Sequence, residues 1–311
     1  MKPVNNTILN HTQLLKPLTF FLVIILFSVT YSKSLSPQEN DKNQQLYSFQ
    51  LKDGTKIIGF LYGENENEII IQNLDSELLT YSKEILVNTY KIEGIIKNGK
   101  LYRKDPNASV YLFAPSAFPI SKSKGFCRDF CLFFPSVNYG ITKHISLQGG
   151  LFWYPGMDIK SSPFVGNLKV NLLHLKKFAV AGGLMYVNFP ATSKDKIYGA
   201  GFGFITGTFG NEYSHASLSS GWGYIQSEAG WEIMDEPIVV LAGNVRLTSF
   251  MALVTENWFY PQVELDDSLL TLSARFFGQQ IALDLGAIFS INSIRDKQSL
   301  IPILNITYHY N

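Results

Sequence analysis

The chain has 311 residues, a formal charge of +1 and only 16% charged residues, so it lacks the basic excess that a nucleic-acid partner requires. Aromatic residues make up 14%, with 23 Phe, 16 Tyr and 24 Gly, a mixture that favours β-structure over a helical bundle. The only cysteines, Cys127 and Cys131, would lie roughly 13 Å apart on a strand, beyond the about 7 Å that a disulfide tolerates. Two free buried thiols are expected, unless a turn falls at 128–130.

At the N-terminus, Lys2 and Lys16 precede the apolar run LTFFLVIILFSV, Leu18 to Val29, and Thr30 and Ser32 follow with the spacing of a small-residue cleavage site. This pattern assigns residues 1–34 to a secretory signal. A retained membrane anchor is the alternative, but the run is shorter than the about 20 residues of a spanning helix. Residues 35–45 are polar and read as a linker. An exported chain without spanning helices either stays soluble or enters a membrane as a closed barrel.

Residues 46–104 show short strands between turn residues: Phe49 and Leu51 lead to Asp53–Gly54, then KIIGFLYG, ENENE, EIIIQ and LLTYSKEILVNTYKIEGI. Acidic and basic residues balance there, eight of each. The stretch LKDGTKIIGFLYGENENEIIIQ resembles the opening of small Sm-like or SH3-like barrels. That resemblance implies a small β domain. Without net basic charge, and behind an export signal, it does not bring RNA binding with it. The expected role is an adaptor that packs on the rest of the chain or on a periplasmic protein partner.

From residue 107 to 311 the texture changes to longer, aromatic and glycine-rich strands. Twelve are predicted, near 108–115, 127–140, 145–154, 163–173, 178–189, 197–209, 212–225, 237–247, 250–260, 268–277, 280–290 and 300–310. Most reach the about 9–11 residues that a tilted strand needs to cross a bilayer. Several alternate: Phe164, Leu168, Val170 and Leu172 against Asn167, Lys169 and Asn171; Leu270, Leu272, Ala274 and Phe276 against Thr271, Ser273 and Arg275.

The connections discriminate between a soluble sandwich and a membrane barrel. TKH, HLKK, GN, TS and GQ are short, whereas FPISKSKG, PGMDIKSS, ATSKDK, SEAGWEIMDE, QVELDDS and NSIRDKQS are longer and polar. Strict short–long alternation is the habit of outer-membrane barrels, with tight periplasmic turns and longer outside loops. An even strand number then puts both ends of the barrel, and the small N-terminal domain, in the periplasm. Aromatics gather at strand ends: Trp153, Tyr154, Phe189, Tyr198, Trp222, Tyr224, Trp258 and Tyr260 at the outer end, and Tyr139, Phe178, Phe209, Tyr213, Phe250, Phe276 and Tyr308 at the inner end. Two aromatic girdles facing outer-membrane lipid are therefore expected, with Tyr310 completing the inner one.

The final strand, LNITYHYN, sets Leu304, Ile306, Tyr308 and Tyr310 against Asn305, Thr307 and His309. It must pair with the first strand to remove the sheet edge. Its terminal aromatic resembles the recognition signal of outer-membrane assembly machinery, with Asn311 as a departure. The stretches YLFAPSAFPI, LFFPSVNYGIT and ALVTENWFYP resemble a family of exported barrel proteins of Bacteroidota. That resemblance implies an envelope location and a barrel fold, and no chemistry.

If the apolar faces meet lipid, the lumen is lined by Asn167, Lys169, Asn171, His215, Asn244, Arg246, Glu256, Thr271, Arg275, Asp284, Asn305 and His309, with Ser273. A Lys or Arg on the lipid side near mid-bilayer would cost about 2–4 kcal/mol, which decides the facing of Lys169 and Arg275. The mixed signs suggest a neutralised network and no strong ion selectivity. Twelve strands lie between the eight whose interior side chains fill and the about 16 that leave a channel, so a plugged barrel and a narrow pore for small solutes both remain open. Gly199, Gly201, Gly203 and Gly207 share one face, where either the lumen is locally wide or another element packs. An outer-membrane lipid hydrolase is the rival class, but His144, His174, His215 and His309 all fall at the periplasmic end, away from an outer-rim serine. His215 and Ser217 share a strand face without an identifiable third group. No catalytic residue, metal site or cofactor is expected.

Overall fold

The structure, a computed structural model, describes residues 45–310 apart from 93, 98–99, 104, 190–196, 262 and 299. The expected export signal, nearly all of the linker and the loop ATSKDK lie outside the described residues. No helix among the described residues is long and apolar enough to cross a membrane.

The first sheet comprises β1 (Leu46–Leu51), β2 (Lys56–Glu64), β3 (Glu68–Asn73), β4 (Leu78–Ser82) and β5 (Leu86–Ile92), in the order β4-β3-β2-β1-β5. The β1–β2 turn is set by Asp53, whose carboxylate accepts the Thr55 N–H at 2.8 Å, and by Gly54 at φ +86°. The Thr55 N–H and hydroxyl hold the Asp53 carboxyl below the usual carboxylate range. Phe49, Ile69 and Ile71 form the core, flanked by Tyr47, Ile57, Tyr81 and Leu86. A 3-10 turn at Lys83–Ile85 joins β4 to β5. A separate hairpin follows, β6 (Gly94–Lys97) with β7 (Lys100–Arg103).

The remainder is one closed antiparallel ring. Its strands are β8 (Gly125–Phe130), β9 (Phe134–Gly140), β10 (Ile145–Leu151), β11 (Phe164–His174), β12 (Phe178–Asn188), β13 (Ile197–Gly210) and β14 (His215–Ser227). A short β15 (Gly230–Ile233) extends β14 as a hairpin, and β16 (Ile238–Arg246), β17 (Met251–Phe259), β18 (Leu270–Phe277), β19 (Ile281–Phe289) and β20 (Ile301–Tyr310) complete the circuit. Each strand pairs with its chain neighbour, β14 pairs with β16 past the β15 hairpin, and β20 closes on β8 with Tyr308 opposite Cys127. Closure leaves no edge to satisfy, so twelve strands form the wall.

The count of twelve is reached differently from the sequence expectation. The predicted strand at 108–115 is not part of the wall. The predicted strand at 127–140 is instead two strands, β8 and β9, reversed at 131–133, where Cys131 and Leu132 adopt positive φ of 55° and 63°. FPISKSKG therefore lies beside the short turns and not among the long loops: Ser123 N–H donates to Gly140 O, and Gly140 N–H to Lys124 O. The loop SEAGWEIMDE is largely the β15 hairpin. At 6, 7 and 7 residues, β8, β9 and β10 fall short of the expected length. Cys127 and Cys131 are free; Cys127 is exposed and Cys131 half-buried, so the expectation that both are buried fails.

Period-two alternation carries through the wall. On β11, Phe164, Leu168 and Leu172 are exposed, whereas Val165, Asn167, Lys169 and Asn171 are buried. The same pattern puts Leu218, Leu272, Leu285 and Ile306 on the outside and Ser217, Thr271, Asp284 and Asn305 on the inside. The glycines of β13 belong to the outer face, since Phe202, Phe204, Thr206 and Thr208 are the buried set. The Tyr186 ring lies where a side chain on Gly199 would stand, the Tyr224 ring covers Gly201, and Leu184 and Phe178 border Gly203 and Gly207. Large side chains of the flanking strands thus fill the row that the glycines leave.

Candidate functional site: the occluded lumen

The segment that was expected to be the first strand fills the interior. Residues 105–118 form a compact hairpin inside the ring: Tyr111 N–H donates to Ala114 O at 2.9 Å, and Ser116 N–H to Ser109 O at 3.0 Å. Asp105 starts it by accepting the Asn107 N–H on its carboxylate at 2.8 Å. Tyr111, Asn107, Ser116 and Ala117 are fully buried. The apolar run VYLFAP is buried, Phe113 and Pro115 only partly, because it sits in a barrel interior, which explains why its composition mimics a strand.

The wall grips this hairpin mainly through its backbone. On β11, Lys169 Nζ donates to Ser109 O (3.2 Å), Ser116 O (3.0 Å) and Phe118 O (2.8 Å), and Asn171 donates to Ala117 O at 2.6 Å. On β8, Arg128 donates to Tyr111 O, Leu112 O, Asn107 Oδ1 and Thr307 Oγ1 at 2.9–3.1 Å. On β18, Arg275 reaches Tyr111 O at 2.5 Å while its Nε and Nη2 hold both oxygens of Asp284 on β19, at 2.6 and 3.1 Å. Asn305 on β20 donates to the same Asp284 carboxylate.

The hairpin tip meets a single acceptor. Glu256 Oε2 on β17 takes the N–H groups of Leu112, Phe113 and Ala114 at 3.0, 2.8 and 2.8 Å. Successive N–H groups converging on one anion form a nest, and the charge makes each bond stronger than a neutral one. The β17–β18 ladder opens beside Glu256, and the Thr271 hydroxyl bonds both its N–H and its C=O. Around the rest of the ring, Thr208 accepts the Ala117 N–H, Tyr111 OH and Ser217 Oγ lie 2.6 Å apart, Asn244 donates to Asp105, and His309 Nε2 meets Asn107 Oδ1.

Arg246 sits at the short-turn end, donating to Thr248 O and Ser249 O with its guanidinium 4.1 Å from the Phe277 ring centroid. Tyr213, expected in the inner girdle, is turned in beside it, 5.9 Å away. Asn167 is buried on β11, with its Oδ1 lacking a hydrogen-bond partner among the described residues. Every sequence-nominated lumen residue is thus inward and buried, although they meet across a protein segment and not across open water.

The aromatic residues divide. Trp153, Tyr154, Trp222 and Tyr308 are exposed on the outside. Tyr224 and Tyr310 are outward but partly covered, donating to Met185 O and Asn138 O. Trp258 and Tyr260 correct the expectation of a girdle position. They share the inward face of Glu256, to which Trp258 Nε1 donates at 2.8 Å, and pack on Phe202, Phe204, Ile238 and Val240. The long-loop half of the lumen is thereby apolar, and the half towards the short turns is charged.

Arg128 and Thr208 were not singled out by sequence, and Ser217 was noted there only as a strand-face neighbour of His215. Arg128 was hidden because β8 was read as the start of a longer strand. The alternation Phe126–Arg128 opposite Cys127 was the available signal. Ser217 bonds Tyr111 and Thr208, whereas His215 directs Nδ1 to Asn211 O and packs between the Tyr111 and Phe118 rings.

A closed ring with an apolar outside and a filled inside, charged in one half and apolar in the other, is a β-barrel of the outer-membrane type. No protein-family model and no curated protein matches the chain. Solved structures that it is similar to include OmpT with loop L8 deleted, an outer membrane protein of Vibrio cholerae, at 10% identity over 86% of this chain and 97% of that one, TM-score 0.34. Another is a triple mutant of the Rhodopseudomonas blastica porin, at 11% identity over 86% and 99%, TM-score 0.32. The in-vitro folded trimeric form of Vibrio cholerae OmpT is 12% identical over 86% and 97%, TM-score 0.34.

Proposed function

We propose that this protein is an outer-membrane barrel of a Gram-negative envelope whose passage is shut, at rest, by its own residues 105–118. The observation that carries the reading is the grip of Lys169, Arg128, Arg275 and Glu256 on the hairpin backbone from four strands of the ring, β11, β8, β18 and β17. A belt of exposed Leu, Ile, Phe and Trp on the outer face supports contact with lipid, since so continuous an apolar surface would not stay dispersed in water. Short turns at the end that carries both barrel termini support a periplasmic position for residues 46–104.

That N-terminal part then serves as an adaptor held at the inner surface, in line with its Sm-like or SH3-like resemblance. The strand order β4-β3-β2-β1-β5 and the 3-10 turn before β5 support this. Its balanced charge favours a protein partner over nucleic acid. Engagement of Ser217 by Tyr111 and Thr208 gives a hydrolase reading no support. Planar-bilayer recording of the full chain tests the resting state: silence is expected, and steady ohmic conductance would contradict occlusion.

A further inference from the structure

Three buried cations of the wall have no carboxylate within 4 Å among the described residues, although Arg128 lies within electrostatic reach of Asp105, Glu256 and Asp284, and Arg246 of Asp105. Lys169 is held by three carbonyl oxygens, Arg128 by carbonyl, amide and hydroxyl oxygens, and Arg246 by the carbonyls of its own turn and aromatic faces. Among the described residues, none of the three makes an ion pair, whereas Arg275 pairs with Asp284 and lies 3.9 Å from Asp105. Burying a cation among neutral dipoles is costly. Holding the hairpin does not require it, because Asn171 and Thr208 make equivalent backbone contacts without charge.

The charge on the wall differs from the charge of the filled lumen. Asp105 belongs to the hairpin and would leave with it. The buried charges that stay on the strands are Arg128, Lys169, Arg246 and Arg275 against Glu256 and Asp284. Asp284 remains committed to Arg275. Vacated, the interior holds Arg128 and Lys169 with donors directed at the space where carbonyl oxygens now lie. Such positions suit the oxygens of a small anion, and rings of Arg and Lys are the usual lining of anion pores.

We propose that residues 105–118 are a displaceable gate and that the lumen behind them conducts small anions. This rests on the occluded barrel argued above and adds its substrate class. Glu256 is the latch, since it takes three N–H groups of the hairpin tip.

The test records single channels from the full chain in a KCl gradient, comparing wild type, Glu256→Ala, and a chain whose residues 105–118 are replaced by a Gly/Ser run of equal length. The second variant keeps Glu256 on the wall, and a heat-dependent mobility shift verifies that each barrel is folded. Wild type should be silent. Both variants should open, with a reversal potential on the chloride side that moves towards zero when Arg128→Gln and Lys169→Gln are added. Cation-selective or unselective openings would overturn the anion assignment, and silence of both folded variants would overturn the gate. Steady conduction by wild type would instead strike at the occluded resting state.

Discussion

The Glu256 carboxylate accepts the Ala114 N–H at 2.8 Å, across 142 residues of sequence, and the same oxygen holds Leu112 and Phe113. One oxygen therefore holds three successive N–H groups of the hairpin tip. Glu256→Gln keeps the shape and removes the charge. Hydrogen bonds to charged groups contribute about 1.5–3 kcal/mol. Local opening at 112–114 should thus become about ten- to a hundredfold more frequent, seen as faster amide hydrogen exchange there, with the β11–β13 amides unchanged.

Lys169→Met should leave two carbonyls without their donor, those of Ser116 and Phe118, while Ser109 O keeps the Ser116 N–H. Leaving buried acceptors unpaired costs about 1–3 kcal/mol each. Limited proteolysis of the reconstituted protein is then expected to cut within 105–118 in the variant and to spare wild type. Equal resistance would show that the carbonyls find other donors.

Arg275 and Asp284 form a buried bidentate pair. Arg275→Met strands the carboxylate and should destabilise the barrel by about 3–5 kcal/mol, whereas Arg275→Met with Asp284→Leu should recover most of that. Urea titration of the wild type, single and double variants in lipid vesicles measures the difference.

A Cβ on Gly201 would run into the Tyr224 ring. Gly201→Val should therefore lower stability, and Tyr224→Ala should relieve the part of that loss owed to the ring, since the Met185 carbonyl oxygen also stands against that Cβ. The double-mutant cycle is expected to give a coupling of about 0.5–3 kcal/mol. A value near zero would mean that the ring does not occupy the glycine row.

Much of the barrel was legible because lipid on one side and polar groups on the other impose a strict period of two. Lys169, Arg275 and Asp284 could be assigned to the inside on that ground alone. The hairpin 105–118 was not legible. In a water-soluble protein or a membrane wall an apolar run such as VYLFAP reads as a strand, and only the third dimension reveals that it fills a cavity. The tight reversal at Cys131–Leu132 was equally hidden, because positive φ at such residues carries no sequence signature, unlike Asp53–Gly54. Trp258 was misplaced because aromatic residues near a strand end suit a girdle. Its partner, the buried Glu256 two residues away, fixes the opposite face.

The most direct test of the facing of the wall uses two native tryptophans. Single-tryptophan chains retaining either Trp222, which is exposed on the outer face, or Trp258, which donates to Glu256 inside the ring, are reconstituted in vesicles containing brominated lipid. Strong quenching of Trp222 with little quenching of Trp258 is expected. Equal quenching of the two, or none of Trp222, would contradict a barrel whose apolar surface meets lipid around a filled interior.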